Sequence, residues 1–223
     1  MKAGPRLRPG LVIFDCDGVL VDTERLGNQR LAAVLSEAGF PISYEDCRRT
    51  FVGKPMAAIQ AHVEAAGVML GADFVQRWND GLPELFKDGL DPIPHVEGAV
   101  RALAAAGLPF CVASSGQLPK MRLTLGLTGL LPFFEHSMFS VSMVTRGKPF
   151  PDLFLHAAKV MGHAPETCVV VEDSVAGVTA ARAAGMRALA YAGDAEAERE
   201  GLAQVGGELF DDMRELPGLI GIG

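Results

Sequence analysis

Two carboxylates one residue apart, Asp15 and Asp17, close the apolar run Leu11–Phe14 in LVIFDCDGVLVDTE, and Gly18 follows at once. Like charges this close repel unless a cation or a shared proton relieves them. The pair is therefore a candidate for metal-assisted or acid–base chemistry, beside the plainer role of solvating a turn. Spacing excludes an EF-hand: Val19 falls where the third oxygen ligand is needed, the glycine comes too early, and Leu26 takes the place of the bidentate glutamate. Three further stretches place polar groups at expected strand ends: FCVASSG leads to Ser114 and Ser115, TRGKPFPD carries Lys148, and CVVVEDS ends on Glu172 and Asp173. Each has a structural reading, as a turn, an N-cap or a solvated charge. Those readings leave the recurrence unexplained, whereas open parallel sheets collect their ligands at the carboxyl ends of strands.

The elements that must position these groups follow from hydrophobic periodicity. Leu11–Phe14 reads as a buried strand. Helix-period stretches follow at Arg25–Ala38, Tyr44–Phe51, Pro55–Ala66 and Ala72–Lys87, punctuated by Gly39, Gly53 and Gly67. Beyond Pro92, helices and strands alternate: Val96–Ala106, PFCVAS, Leu118–Leu125, HSMFS, Pro151–Met161, CVVVED, Val175–Ala184 and RALAY. A βα rhythm of this kind builds a parallel sheet. The expected fold is α/β: a Rossmann-like parallel sheet from residues 1–22 and 93–223, with residues 23–92 inserted as a helical cap that leaves and returns beside Asp15 and Asp17. Phe74, Trp78 and Phe86 lie at helical spacing and are expected to form the small core of that cap.

A chain of 223 residues, 49% of them hydrophobic, can bury a sizeable core. The net charge of -7 gives no broad basic footprint, which argues against nucleic acid while leaving room for a local basic pocket. No apolar run is long enough to span a membrane, and MKAGPRLRPG reads as a loose basic tail. Cys16, Cys47, Cys111 and Cys168 include no CxxC pair, so a reducing cytoplasm is the expected setting. The histidines show no zinc-ligand spacing, and the chain is expected to act as a monomer.

DxDG at Asp15–Gly18, Ser114 after the second core strand, Lys148 in GKPFPD and the acidic pair in VEDSVAG stand in the order seen in the haloacid dehalogenase superfamily. The chain resembles that family over essentially its whole length. DCDGVLVDTE, GKPFPD and VEDSVAGVTAARAAG are most similar to its β-phosphoglucomutase-like branch, whose helical cap follows the first signature. The resemblance implies a magnesium-dependent phosphatase that works through an aspartyl phosphate. Asp15 is then the nucleophile, and Asp17 the general acid and later the base, a role that requires Asp17 to be protonated in the first half of the cycle. Magnesium would be held by the Asp15 carboxylate, the backbone carbonyl of Asp17, Asp173 and, through water, Glu172. The Ser114 hydroxyl and the Lys148 ammonium, with backbone N–H groups, would steady the phosphoryl oxygens. Haloacid dehalogenases proper use neither magnesium nor the second acid, so Asp17 with Glu172 and Asp173 favours phosphate chemistry.

The sequence departs from the mutase pattern at two places: Gly27 stands where a histidine aligns, and Lys54 and Pro55 stand where an arginine grips the non-transferring phosphate. A phosphatase of a small phosphorylated metabolite, a sugar or sugar-acid phosphate, is therefore favoured over two alternatives, a β-phosphoglucomutase-like mutase and a non-catalytic scaffold that binds a phosphometabolite. Ser115, Arg25, Asn28, Arg49 and Lys54 are the candidates for contacting the substrate.

Overall fold

The computed structural model describes residues 8–52, 54–195 and 197–222, so Gly53 and most of the basic tail lie outside the described residues. Strand β1 (Leu11–Phe14) leads into five helices, α1 (Glu24–Glu37), α2 (Tyr44–Phe51), α3 (Met56–Ala65), α4 (Phe74–Asp80) and α5 (Leu82–Leu85). Alternation then sets in with α6 (Val96–Ala105), β2 (Phe110–Ser114), α7 (Leu118–Leu127), α8 (Leu131–Phe134), β3 (Met138–Ser140), α9 (Asp152–Met161), β4 (Cys168–Glu172) and α10 (Val175–Ala183). It ends with β5 (Arg187–Tyr191), α11 (Arg199–Gln204), β6 (Glu208–Phe210) and α12 (Leu216–Leu219).

The strands form one parallel sheet in the order β3-β2-β1-β4-β5-β6. Its connections reverse direction at β1, the switch point at which such sheets open a crevice. Side chains of β1 alternate between the two faces: Val12 and Phe14 pack with Val100 and Leu103 of α6 and Met121 and Leu125 of α7, while Leu11 and Ile13 pack with Phe154 of α9 and Ala181 of α10. Phe14, Phe110 and Phe134 meet edge to face on the first side, which fixes α8 against the sheet. Register does the rest. Phe14 is level with Val112 of β2 and Val171 of β4, so Asp15, Ser114 and Glu172 all emerge at one carboxyl edge.

The helices α1 to α5 lie between two neighbouring chain crossings. Asp22 N–H donates to the Asp91 carbonyl and Ile93 N–H to the Leu20 carbonyl, each at 3.0 Å, and Val21 and Pro92 form an antiparallel bridge. Phe74, Trp78 and Phe86 are buried together with Leu35, Ile59 and Val63. Where periodicity predicts one helix over Ala72–Lys87, the structure has α4 and α5, broken at Gly81. Pro83 offers no N–H to continue the helical ladder, and the bare face of Gly81 receives the Arg30 guanidinium, which an added Cβ would strike. Strand β6 has no counterpart in the sequence reading, because its three residues, two of them exposed, carry too short an apolar pattern. Among the described residues no helix is long and apolar enough to cross a membrane.

Candidate active site

Lys148 sits at the centre of the carboxyl edge. Its ammonium donates to Asp15 Oδ1 at 2.5 Å and to Glu172 Oε1 at 2.7 Å, and the three side chains are almost fully buried. The other oxygen of Glu172 accepts from the backbone N–H and hydroxyl of Ser174, at 2.6 and 2.9 Å. Ser174 in turn caps α10 by accepting from Gly177 N–H, and Gly177 is the residue whose missing side chain makes room for the Glu172 carboxylate. Asp17 is held at both oxygens: Thr23 donates to Oδ1 at 2.5 Å and Lys120 to Oδ2 at 2.8 Å. Thr23 begins α1 without capping it, since its hydroxyl is turned to Asp17. The buried Ser114 hydroxyl accepts from Gly116 N–H at 3.0 Å, and Ser140 ties down the Gly116 carbonyl at 2.8 Å.

Burial lifts the Asp15 carboxyl to about 7; Lys148 opposes the rise, and Glu172 and Asp17 add to it. Burial likewise pushes Asp173 well above the usual carboxylate range, together with the negative charges of Glu172, Glu24 and Asp15. Burial also works against ionisation of Asp17, but the charge and hydrogen bond of Lys120 and the hydrogen bond of Thr23 outweigh it, so Asp17 lies below its ordinary range. The protonated Asp17 expected for the first half of a catalytic cycle is thus not the form these contacts hold. Cys16, between the two acids, is pushed well above the usual thiol range by burial and by Asp17 and Asp15, and contributes backbone rather than a thiolate.

Asp15, Glu172 and Asp173 each offer a carboxylate oxygen within 4.8 Å of the others, an oxygen-only set that suits a hard divalent cation. Gly18, at φ 78°, lets the loop after Asp17 press onto Asp173, where a Cβ would come 2.1 Å from Oδ2. Among the described residues no hydrogen bond or ion pair relieves the charge of Asp173. The residues present fit a metal.

A model of haloacid dehalogenase-like hydrolases matches residues 9–185. The chain belongs to that family. It is 35% identical over 187 residues to the 6-phosphogluconate phosphatase of Escherichia coli (strain K12), covering 82% of each chain. A crystal structure of a conserved haloacid dehalogenase-like protein of unknown function from Agrobacterium tumefaciens superposes with a TM-score of 0.78 at 35% identity, over 95% of this chain and 97% of that one. A hydrolase of the same family from Deinococcus radiodurans, crystallised with phosphate and sodium, gives 0.76 at 30% identity, over 99% and 98%. The chain is an enzyme of the phosphoric monoester hydrolase class.

In this haloacid dehalogenase-like hydrolase, a cavity of about 310 Å³ joins the edge to the helical segment. Asp15, Asp17, Ser114, Ser115, Lys148, Glu172 and Asp173 line it together with Asn28 and Lys54. Gly27 lines it too, with open space where a Cβ would point. Arg25 is exposed and does not line the cavity. Arg49 faces a neighbouring cavity and pairs with Asp46 of its own helix, at 2.5 Å. Charge made these arginines candidates, but on solvated helix faces charge does not select a residue that reaches the pocket. Lys120 and Thr23 had escaped the sequence reading. A signal for Lys120 exists: Pro119 marks the first turn of α7, and the next residue of that turn overhangs the carboxyl edge.

Proposed function

We propose that the protein is a magnesium-dependent phosphatase of small phosphorylated metabolites, sugar or sugar-acid phosphates, that works through an aspartyl phosphate on Asp15, with residues 23–92 as a movable cap. The observation that carries this reading is the buried Lys148 bridging Asp15 and Glu172 beside Asp173, a site arranged to hold anions around one free carboxylate oxygen. The Escherichia coli 6-phosphogluconate phosphatase supports the substrate class.

The Asp15 carboxylate attacks phosphorus as the ester P–O bond breaks, and the departing alkoxide takes a proton from Asp17. Water then attacks the phosphorus of the aspartyl phosphate and gives its proton to Asp17, which frees inorganic phosphate and restores Asp15. Lys148 and the Ser114 hydroxyl stabilise charge on the phosphoryl oxygens. Magnesium bound by Asp15, Asp173, the Asp17 carbonyl and, through water, Glu172 would supply the positive charge that lets two anions approach. Lys120 holds Asp17 ionised in the free enzyme; an incoming phosphate draws that ammonium toward itself, and Asp17 takes up from solvent the proton that it then gives to the alkoxide, releasing the one gained from the attacking water back to solvent as phosphate leaves. The open space at Gly27 offers no side chain to activate a second sugar hydroxyl, which favours water as the acceptor over a mutase cycle.

Turnover of p-nitrophenyl phosphate and a panel of sugar and sugar-acid phosphates with magnesium tests the reading. Phosphate release is expected, with a loss of about 10⁴-fold or more in Asp15→Asn. Isomerisation of β-glucose 1-phosphate without phosphate release would instead establish the mutase, and inactivity of a folded protein across the panel the scaffold.

A further inference from the structure

Arg48 of α2 reaches across from the helical segment to the sheet. Its Nη2 lies 2.9 Å from Asp194 Oδ2 and 3.5 Å from Glu24 Oε2 of α1. Arg48 and Glu24 are only 14% and 15% exposed, so the guanidinium is fitted between the two helices rather than waving in solvent. Asp194 follows β5 in a loop fixed to the sheet: Ala192 N–H donates to the Phe210 carbonyl at 2.8 Å, and Arg199 donates to the Ala192 carbonyl at 3.1 Å while pairing with Asp211. Between this bridge and the active site lies a second cavity of about 1050 Å³. It shares Glu24, Lys54, Lys148 and Asp173 with the first, so it is a second mouth of the same site.

We propose that Arg48 is a latch that holds the helical segment against the sheet across this second mouth by engaging Asp194, and that the balance between open and closed cleft depends on the pair. The inference rests on the reading of residues 23–92 as a moving cap. A cap pivoting about the Val21–Pro92 tie carries Arg48 and Glu24 together, so their contact survives the motion. The contact with Asp194 joins α2 to the sheet and breaks. The Lys148 pairs at the carboxyl edge involve no residue of the cap and are unaffected. Glu24 keeps the guanidinium aimed while the latch is open, so re-engagement needs no search among rotamers. Because Asp194 is half exposed, the latch is screened by salt.

Distances between spin labels on Ala65→Cys of α3 and Lys159→Cys of α9 report the cleft directly and need no catalysis. Two populations are expected in the otherwise unaltered protein, with magnesium and inorganic phosphate favouring the shorter distance and high salt the longer. Arg48→Gln and Asp194→Asn should each raise the ratio of open to closed by about fivefold and abolish the salt response, and the double variant should be no more open than either single one. A ratio indifferent to both substitutions, or singles whose effects simply add, would overturn the latch and leave the moving cap standing. One distance that neither phosphate nor salt changes would remove cap and latch together.

Discussion

The carboxyl edge of the sheet and the helical segment facing it handle charge in opposite ways. At the edge, Lys148 is 3% exposed and lies between Asp15 and Glu172, at 10% and 1%. Removing one member leaves the others buried without compensation, so position and partner are tightly constrained. In the segment, Arg49 pairs with Asp46, Arg77 with Asp73 and Lys87 with Glu84, each within one helical turn and largely in water. Such pairs contribute a few tenths of a kcal/mol, and the same residue types carry little positional information there. On the proposed reading, the edge would set the chemistry and the segment would be free to vary what it admits.

Lys148→Met attacks that contrast most directly. It should lower kcat/KM by about 10³-fold and reduce folding stability by about 3 kcal/mol, because two buried carboxylates lose their cation. Steady-state kinetics and urea denaturation check both, and a variant within tenfold of the parent would show that the edge behaves like ordinary surface. A medium effect concerns pH. The Asp15 carboxyl is raised from 3.8 to about 7, so between those values the folded protein retains a proton that the unfolded chain has lost. The corresponding stability of the metal-free protein is full below about pH 4 and is lost as pH climbs through about 7. Magnesium competes with that proton, so its stabilising effect should grow over the same window. Melting temperatures with and without excess magnesium should differ by several degrees more at pH 8 than at pH 5; equal shifts would locate the ion away from Asp15. The smallest effect sharpens the comparison within the segment: Lys54→Ala should raise KM about fivefold, whereas Arg25→Ala and Arg49→Ala stay within about twofold. Three equal responses would erase the distinction between a residue at the cavity and its solvated neighbours.

Legibility followed the same divide. The helix expected at Tyr44–Phe51 has those bounds in the structure, because Ser43 accepts from Asp46 N–H and stops the strand-like approach at a defined residue. The strand ends carrying Asp15, Ser114 and Glu172 were legible because an apolar run followed by a polar group has few meanings in a parallel sheet. The break at Gly81 was signalled by Pro83 but hidden within an otherwise helical period. Lys120 was missed because its role depends on the direction in which α7 leaves the sheet, which no local pattern encodes.

By itself the sequence determined the order of β1 to β5 and most of the helices around them, the strand ends at Asp15, Ser114 and Glu172, and the inventory of acids, serine and lysine, since these follow from periodicity and residue chemistry within short windows. Only the tertiary structure decided that Lys148 lies between Asp15 and Glu172, that Lys120 holds Asp17, and that Lys54 rather than Arg25 lines the cavity. Those facts depend on register between distant strands and on which face a packed helix turns inward, quantities set by the burial of the whole core rather than by any segment of it.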